Sequence, residues 1–226
     1  MKLFTHVAFL ILFALPLFGT AQSKPLTEKE YNQTWRASFA KAQTLNRRHV
    51  QHIEIYRDGK VFSSEDWLYE YVMPDRIHYV HVDTYGGKTT RTEQIDIGKS
   101  AYCKHGDDQW TVVTGMCVGG GVGGIGDGIS KETFSVEDVV VDGKPLKRYR
   151  WYHTSNANYP NNPEKNGVYF SESTFWLRDD GLIVKEETRS GKLDPTTVGR
   201  KETETYEYEP KDLKIDAPGQ PLSTRP

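Results

Sequence analysis

Residues 61–113 read VFSSEDWLYEYVMPDRIHYVHVDTYGGKTTRTEQIDIGKSAYCKHGDDQWTVV. Apolar residues, many of them aromatic, recur on alternate positions, which is the period of a β-strand. Over 61–73 the alternation puts Trp67, Tyr69, Tyr71 and Met73 on one face and Leu68, Glu70 and Val72 on the other. Pro74 cannot donate to a ladder and closes that strand. Strands are expected at 76–83, 88–97, 100–105 and 109–114, separated by Gly86-Gly87 and Gly106-Asp107-Asp108. Such regular hairpins predict an antiparallel meander. A sheet with this much aromatic surface must either cover a core or hold an apolar ligand.

The same grammar extends in both directions. Val50 to Arg57 alternates and ends at the turn signal Asp58-Gly59. Residues 133–141 and 145–153 flank Asp142-Gly143, residues 168–178 and 182–189 flank Asp179-Asp180-Gly181, and 198–208 is a last, strongly charged strand. In that strand Tyr206 and Tyr208 read as core-facing. Upstream the period changes to 3.6. Thr27-Glu28-Lys29-Glu30 is a capping box, and Tyr31, Trp35, Phe39, Ala42 and Leu45 follow at helical spacing. This predicts one amphipathic helix over 28–46. The fold class expected is mainly β (α+β): a curled antiparallel sheet or half-barrel of about ten strands, with the helix as lid or core plug.

Residues 1–21, MKLFTHVAFLILFALPLFGTA, carry a basic Lys2, a short apolar run and small residues before the expected cleavage after Ala21. They read as a signal peptide. The remainder fits one domain, 22–218, with a tail at 219–226. A net charge of −2 gives no basic footprint for nucleic acid. The one basic strand, with Lys147, Arg148, Arg150 and His153, reads as a solvated outer face. Cys103 and Cys117 are the only cysteines and, in an exported chain, are expected to form a disulfide. Their spacing matches no zinc motif, so no metal and no cofactor are expected. His49/His52 and His78/His81 are each three apart, which puts them on opposite faces of a strand. No GxSxG or HExxH is present, and no catalytic residues are assigned. The Gly-rich stretch 115–130 lacks Gly-Lys-Ser/Thr and reads as a loop at the mouth of the sheet, and the Asn- and Pro-rich stretch 154–167 as a polar loop.

Several segments resemble the LolA/LppX/LprG-like superfamily of periplasmic lipoprotein and lipid carriers. Met73-Pro74-Asp75-Arg76 is similar to its Pro-containing strand start. Glu93-Gln94-Ile95-Asp96-Ile97-Gly98, then Ala101-Tyr102 and Trp110, is similar to its hairpins. Phe175–Lys185 resembles its late hairpin and Leu213–Pro218 its closing segment. The resemblance spans most of 27–218. It departs from the family in having no lipobox, in the Gly-rich loop and in the cysteine pair.

The resemblance implies a half-barrel whose concave face binds acyl chains under a helical lid, with Arg76 at a lid contact. It implies no enzyme but an exported carrier or binder of a lipid or acylated lipoprotein, periplasmic or secreted and monomeric. Membrane-bound donor and acceptor proteins are further candidate partners. Strand parity and the helix stripe nominate Trp35, Phe39, Trp67, Tyr69, Tyr71, Met73, Ile95 and Ile97 as ligand-lining. The alternative is a protein-interaction or sensor module on the same fold, without bound lipid.

Overall fold

The computed structural model describes residues 22–117, 129–157, 166–193 and 197–219. The expected signal peptide, most of the Gly-rich stretch and the tail beyond Gly219 lie outside them. Among the described residues there are twelve strands and one helix. They are β1 (Lys24–Leu26), α1 (Glu28–Ala42), β2 (Arg47–Arg57), β3 (Lys60–Val72), β4 (Arg76–Tyr85), β5 (Lys88–Ile97), β6 (Ser100–His105) and β7 (Thr111–Val113). Then follow β8 (Ile129–Val141), β9 (Lys144–Ala157), β10 (Gly167–Leu177), β11 (Ile183–Lys192) and β12 (Thr197–Tyr208).

The strands form one antiparallel, curled and unclosed sheet in the order β1-β8-β9-β10-β11-β12-β2-β3-β4-β5-β6-β7. Two meanders, β2–β7 and β8–β12, are joined where β12 pairs with β2. Two-residue turns set the hairpins. Asp58-Gly59, Gly86-Gly87 and Asp142-Gly143 all have positive φ at both positions, the backbone twist that matches flanking strands.

The one strand that none of the expected ranges covers is β1, which pairs with β8 at one edge. Three residues are too short to display a period. The strand expected at 109–114 contracts to Thr111–Val113, leaving Trp110 outside it. The helix stops at Ala42 rather than 46, where Gln43 caps it. β9 continues to Ala157, so residues 154–157 of the expected polar loop are strand, and 158–165 lie outside the described residues.

The chain leaves β1 at the sheet edge, crosses as α1, and enters β2 at the sheet centre. The helix therefore lies over the β8–β11 half, touching β8 and β11. Thr27 caps it: its hydroxyl accepts the Glu30 N–H at 3.2 Å, and its own N–H donates to Glu30 Oε2 at 2.8 Å. Tyr31 is the wedge. Its ring packs 5.3 Å from Phe134 and 5.2 Å from Phe175, with Ile183, Tyr149, Trp151, Leu177 and Tyr206 in the same cluster. Ser38 is buried, and its hydroxyl accepts the Ile183 N–H at 2.9 Å. Through these residues α1 packs as a plug into a core.

A second cluster, Ile53 and Trp67 with Ile55, Tyr69, Tyr79 and Cys117, lies under the other half of the sheet. The closing segment docks on the opposite side. Arg48 pairs with Glu70, Glu207 and Asp212 at 2.8, 3.0 and 3.2 Å, and Ile215 is buried.

Candidate functional site

Residues opposite each other across a ladder share a face. Tyr149 faces Phe175, which faces Glu186; Glu186 faces Glu204, Glu204 faces Gln51, and Gln51 faces Trp67. Because Tyr149 and Phe175 pack against Tyr31, this row lies on the side that carries α1. That inner face is covered by the helix over β8–β11. Over β12, β2, β3 and β4 it carries a belt of rings.

The belt is continuous. His49 stacks on Tyr69 at 4.9 Å and on Tyr206 at 4.4 Å. Trp67 stacks on Tyr69 at 5.7 Å and on His81 at 3.8 Å, and Tyr206 continues to Tyr208 at 6.4 Å. Tyr79 meets Tyr69 and Tyr71 edge-on at 5.6 and 6.5 Å. The Arg47 guanidinium lies 3.7 Å above the Tyr71 ring. Cross-strand aromatic pairs of this kind stabilise a sheet and present flat apolar area with polar edges.

Carboxylates stand beside the rings. Tyr206 donates to Glu204 Oε2 at 2.7 Å and Glu186 Oε1 at 3.3 Å. The Gln51 side-chain amide donates to both Glu202 and Glu204. His49 Nε2 lies 2.6 Å from Glu204 Oε2, in a geometry that is not that of an aligned hydrogen bond. Burial, reinforced by the charge on Glu204, pushes the Glu186 carboxyl up to about 7. Burial works against the charge on Glu204 too, but His49 and the Tyr206 hydroxyl outweigh it and hold that carboxyl well below the usual range. Glu202 is raised, chiefly by burial and then by its contact with Glu204. Burial also raises the Tyr206 and Tyr69 phenols, so both stay protonated donors.

The helix supplies the rim. Trp35 and Phe39 stack on each other at 5.3 Å with ring planes 7° apart, and are 37% and 48% exposed. The expected single stripe is thus divided: Tyr31, Ser38 and Ala42 turn into the core, and Trp35 and Phe39 stay at its border. The Trp35 side chain lies close enough to the Glu186 carboxyl to favour its charged form, which places this pair where the helix-covered half meets the belt.

Of the nominated residues, the structure brings Trp67, Tyr69 and Tyr71 together on the inner face, whereas Trp35 and Phe39 stack on each other on α1, over the β8–β11 half. Met73 lies past the end of β3, its N–H donating to Asn46 Oδ1 at 2.8 Å. Ile95 and Ile97 are on the other face: Ile95 opposes His78 and Tyr102, and Ile97 opposes Arg76 and Ser100. The reason is parity. Across the two-residue turn Gly86-Gly87, odd positions pair with even ones, as His81 does with Thr92, so the inner residues of β5 are Thr92, Gln94 and Asp96. Arg76 is also outside. Its Nη1 donates to the Ile215 carbonyl at 2.6 Å and lies 3.8 Å from Asp216, so it holds the closing segment instead of α1.

Cys103 and Cys117 are bonded, with Cα atoms 6.2 Å apart. The bond pins residue 117 onto the inner face, where its N–H donates to Gln94 Oε1 at 2.8 Å. Gln94 is only 1% exposed and satisfies its other end on Asp96. The inner-face groups that sequence reasoning passed over are Glu186, Glu202, Glu204, His49 and Gln51. Glu202 and Glu204 share the parity of Tyr206, so the signal was present in the alternation of 198–208.

A recess of about 420 Å³ opens at one end of the sheet, with Leu146, Trp176, Val184, Tyr206 and Tyr208 among its walls. It is not the cavity under α1 that the resemblance implied.

No family model matches the chain, and no curated protein matches it. Among solved structures the chain is similar to the lipoprotein LppX of Mycobacterium tuberculosis, with a TM-score of 0.44 and 16% identity over 84% of this chain and 100% of that one. It is similar to LprF from Mycobacterium bovis at the same TM-score and identity, over 84% of this chain and 97% of that one.

Proposed function

We propose that this chain is an exported carrier or binding protein for a hydrophobic ligand, a lipid or acylated lipoprotein, held on the inner face beside α1. The observation that carries the reading is the Trp35–Phe39 stack. Two large rings remain half-exposed at the border of an aromatic belt, although a core of the same rings lies one helical turn away. An acyl chain laid between stack and belt gains about 0.8 kcal/mol per buried methylene, so a dozen methylenes would outweigh the cost of ordering the chain. The ligand lies along the belt, with its apolar part on Trp67, Tyr69, Tyr71, Trp35 and Phe39 and its polar end near Glu186 and Tyr206. Ile95, Ile97 and Arg76 have no part in it.

Binding rather than catalysis is favoured because the carboxylates here are tied into one another: Tyr206 links Glu186 to Glu204, and Gln51 links Glu202 to Glu204. Export is supported by the apolar 1–21 segment, and no helix among the described residues is long and apolar enough to cross a membrane. The protein works as a monomer that exchanges cargo with membrane-bound donor and acceptor proteins.

The test is titration of a fluorescent fatty acid into the wild type and the Trp35→Ala/Phe39→Ala variant. Saturable uptake, weakened at least tenfold in the variant while far-UV circular dichroism is unchanged, supports the reading. Equal uptake by both proteins, or none by either, refutes it. A protein-interaction module is the second reading, favoured by Val112 and Met116, which are 67% and 73% exposed at the β7 edge.

A further inference from the structure

The disulfide has a neighbour that spacing alone did not reveal. His105 stands two residues beyond Cys103 on β6, hence on the same face of that strand. Its Nε2 lies 3.4 Å from Cys103 Sγ. Its Nδ1 is 3.2 Å from the Thr92 hydroxyl on the paired strand β5. The two sulfurs and a His105 ring nitrogen all lie within 4.8 Å of one another. Cys103 is buried, Cys117 half-buried and His105 exposed, so the trio has a dry floor and an open side.

We propose that Cys103, His105 and Cys117 form a redox-convertible metal site: a disulfide when oxidised, and a Cys₂His site for a zinc-like divalent cation when reduced. Tetrahedral zinc has bonds of about 2.3 Å to sulfur and about 2.0–2.1 Å to nitrogen, which sets ligand edges of about 3.8 Å between sulfurs and about 3.6 Å between sulfur and nitrogen. The Cys103–His105 edge, at 3.4 Å, is already close to that length. The Cys117 sulfur must draw back, and Gly115, at φ 99°, gives the chain before it room to move. Thr92 plays the outer role common at metal sites: its hydroxyl holds Nδ1 and leaves Nε2 for the ion. The fourth position is left for water or an added ligand.

The chemistry balances. A reductant such as a phosphine takes oxygen from one water and becomes the phosphine oxide, while the disulfide gains two electrons and two protons to give two thiols. The cation then displaces those two protons and is held by two thiolates and neutral His105. Either state keeps Cys117 fastened over Trp67 and Ile53, so the metal would replace the disulfide as the clamp on this end of the inner face.

The experiment is anaerobic titration of Co²⁺ into the phosphine-reduced full chain, followed by Zn²⁺ competition. The expected result is one Co²⁺ per chain, with sulfur-to-cobalt charge transfer and tetrahedral ligand-field bands that Zn²⁺ abolishes. The oxidised chain and the Cys103→Ser/Cys117→Ser variant should show neither. His105→Ala should weaken binding more than tenfold, and Thr92→Val on the order of tenfold, as outer-sphere partners do. Absence of Co²⁺ uptake by folded reduced chain, or uptake indifferent to His105→Ala or to oxidation, overturns the proposal. If reduction unfolds the sheet, recovery of its circular dichroism on adding Zn²⁺ supports the site, and failure to recover overturns it.

Discussion

Glu186 concentrates the electrostatics of the inner face in one residue. Its carboxyl titrates near 7 in the folded chain against an ordinary value of 4.5. The folded state therefore holds a proton that the unfolded chain gives up, and the stability this contributes is full below pH 4.5 and lost as pH rises to about 7. Glu186→Gln removes that loss and keeps an acceptor for Tyr206. Relative to wild type, the variant should gain on the order of 1–3 kcal/mol between pH 4.5 and pH 7.5 in urea melts. A constant difference across that range would show that Glu186 is ionised throughout. Gly191 carries a steric constraint instead. A Cβ there would lie 1.8 Å from the Thr197 carbonyl, at the bulge between Ser190 and Gly191. Gly191→Ala should destabilise by at least about 2 kcal/mol, within the range seen for overpacking, read as a lower denaturant midpoint at unchanged slope.

Within elements, α1 separates two roles that the sequence ran together. The spacing Tyr31, Trp35, Phe39 looks like one stripe, and from sequence a lid and a plug demand the same apolar face. The structure divides them because four-residue steps drift by about 40° around a helix of 3.6 residues per turn, so 31, 38 and 42 face inward while 35 and 39 swing away. Tyr31→Ala should destabilise by about 3–5 kcal/mol, as for other buried aromatic truncations. Trp35→Ala/Phe39→Ala should change stability by less than about 1 kcal/mol and act on ligand uptake instead; equal destabilisation by both variants would make the stack ordinary core. Apart from the three-residue β1, strand existence was legible, because alternation and turn residues such as Asp58-Gly59 and Asp142-Gly143 are local signals. Which face a strand presents was legible only within that strand. Parity passes through a two-residue turn inverted, and this is why Trp67 and Tyr69 fell on the inner face but Ile95 and Ile97 did not. His105 was missed for a related reason: Cys-x-His is no helical or zinc-finger spacing, yet on a strand it puts both side chains on one face.

At the scale of the whole molecule, the central observation is an unclosed sheet with one half of its inner face filled and the other lined with rings. The helix crosses from the β1 edge to the central β2 and can cover only the half between them. The remaining half is fastened at its far end by the Cys103–Cys117 bond over Trp67. Pairing of β12 with β2, which brings Glu204 and Tyr206 beside His49 and Gln51, joins residues about 150 positions apart, and nothing local in the sequence announces it. The most direct test of the central claim is native mass spectrometry of the protein purified from its own host, followed by organic extraction. The account predicts a stoichiometric acyl-bearing adduct that is depleted in the Trp35→Ala/Phe39→Ala variant. A clean apo mass, with no uptake of fluorescent fatty acid in solution, would contradict it.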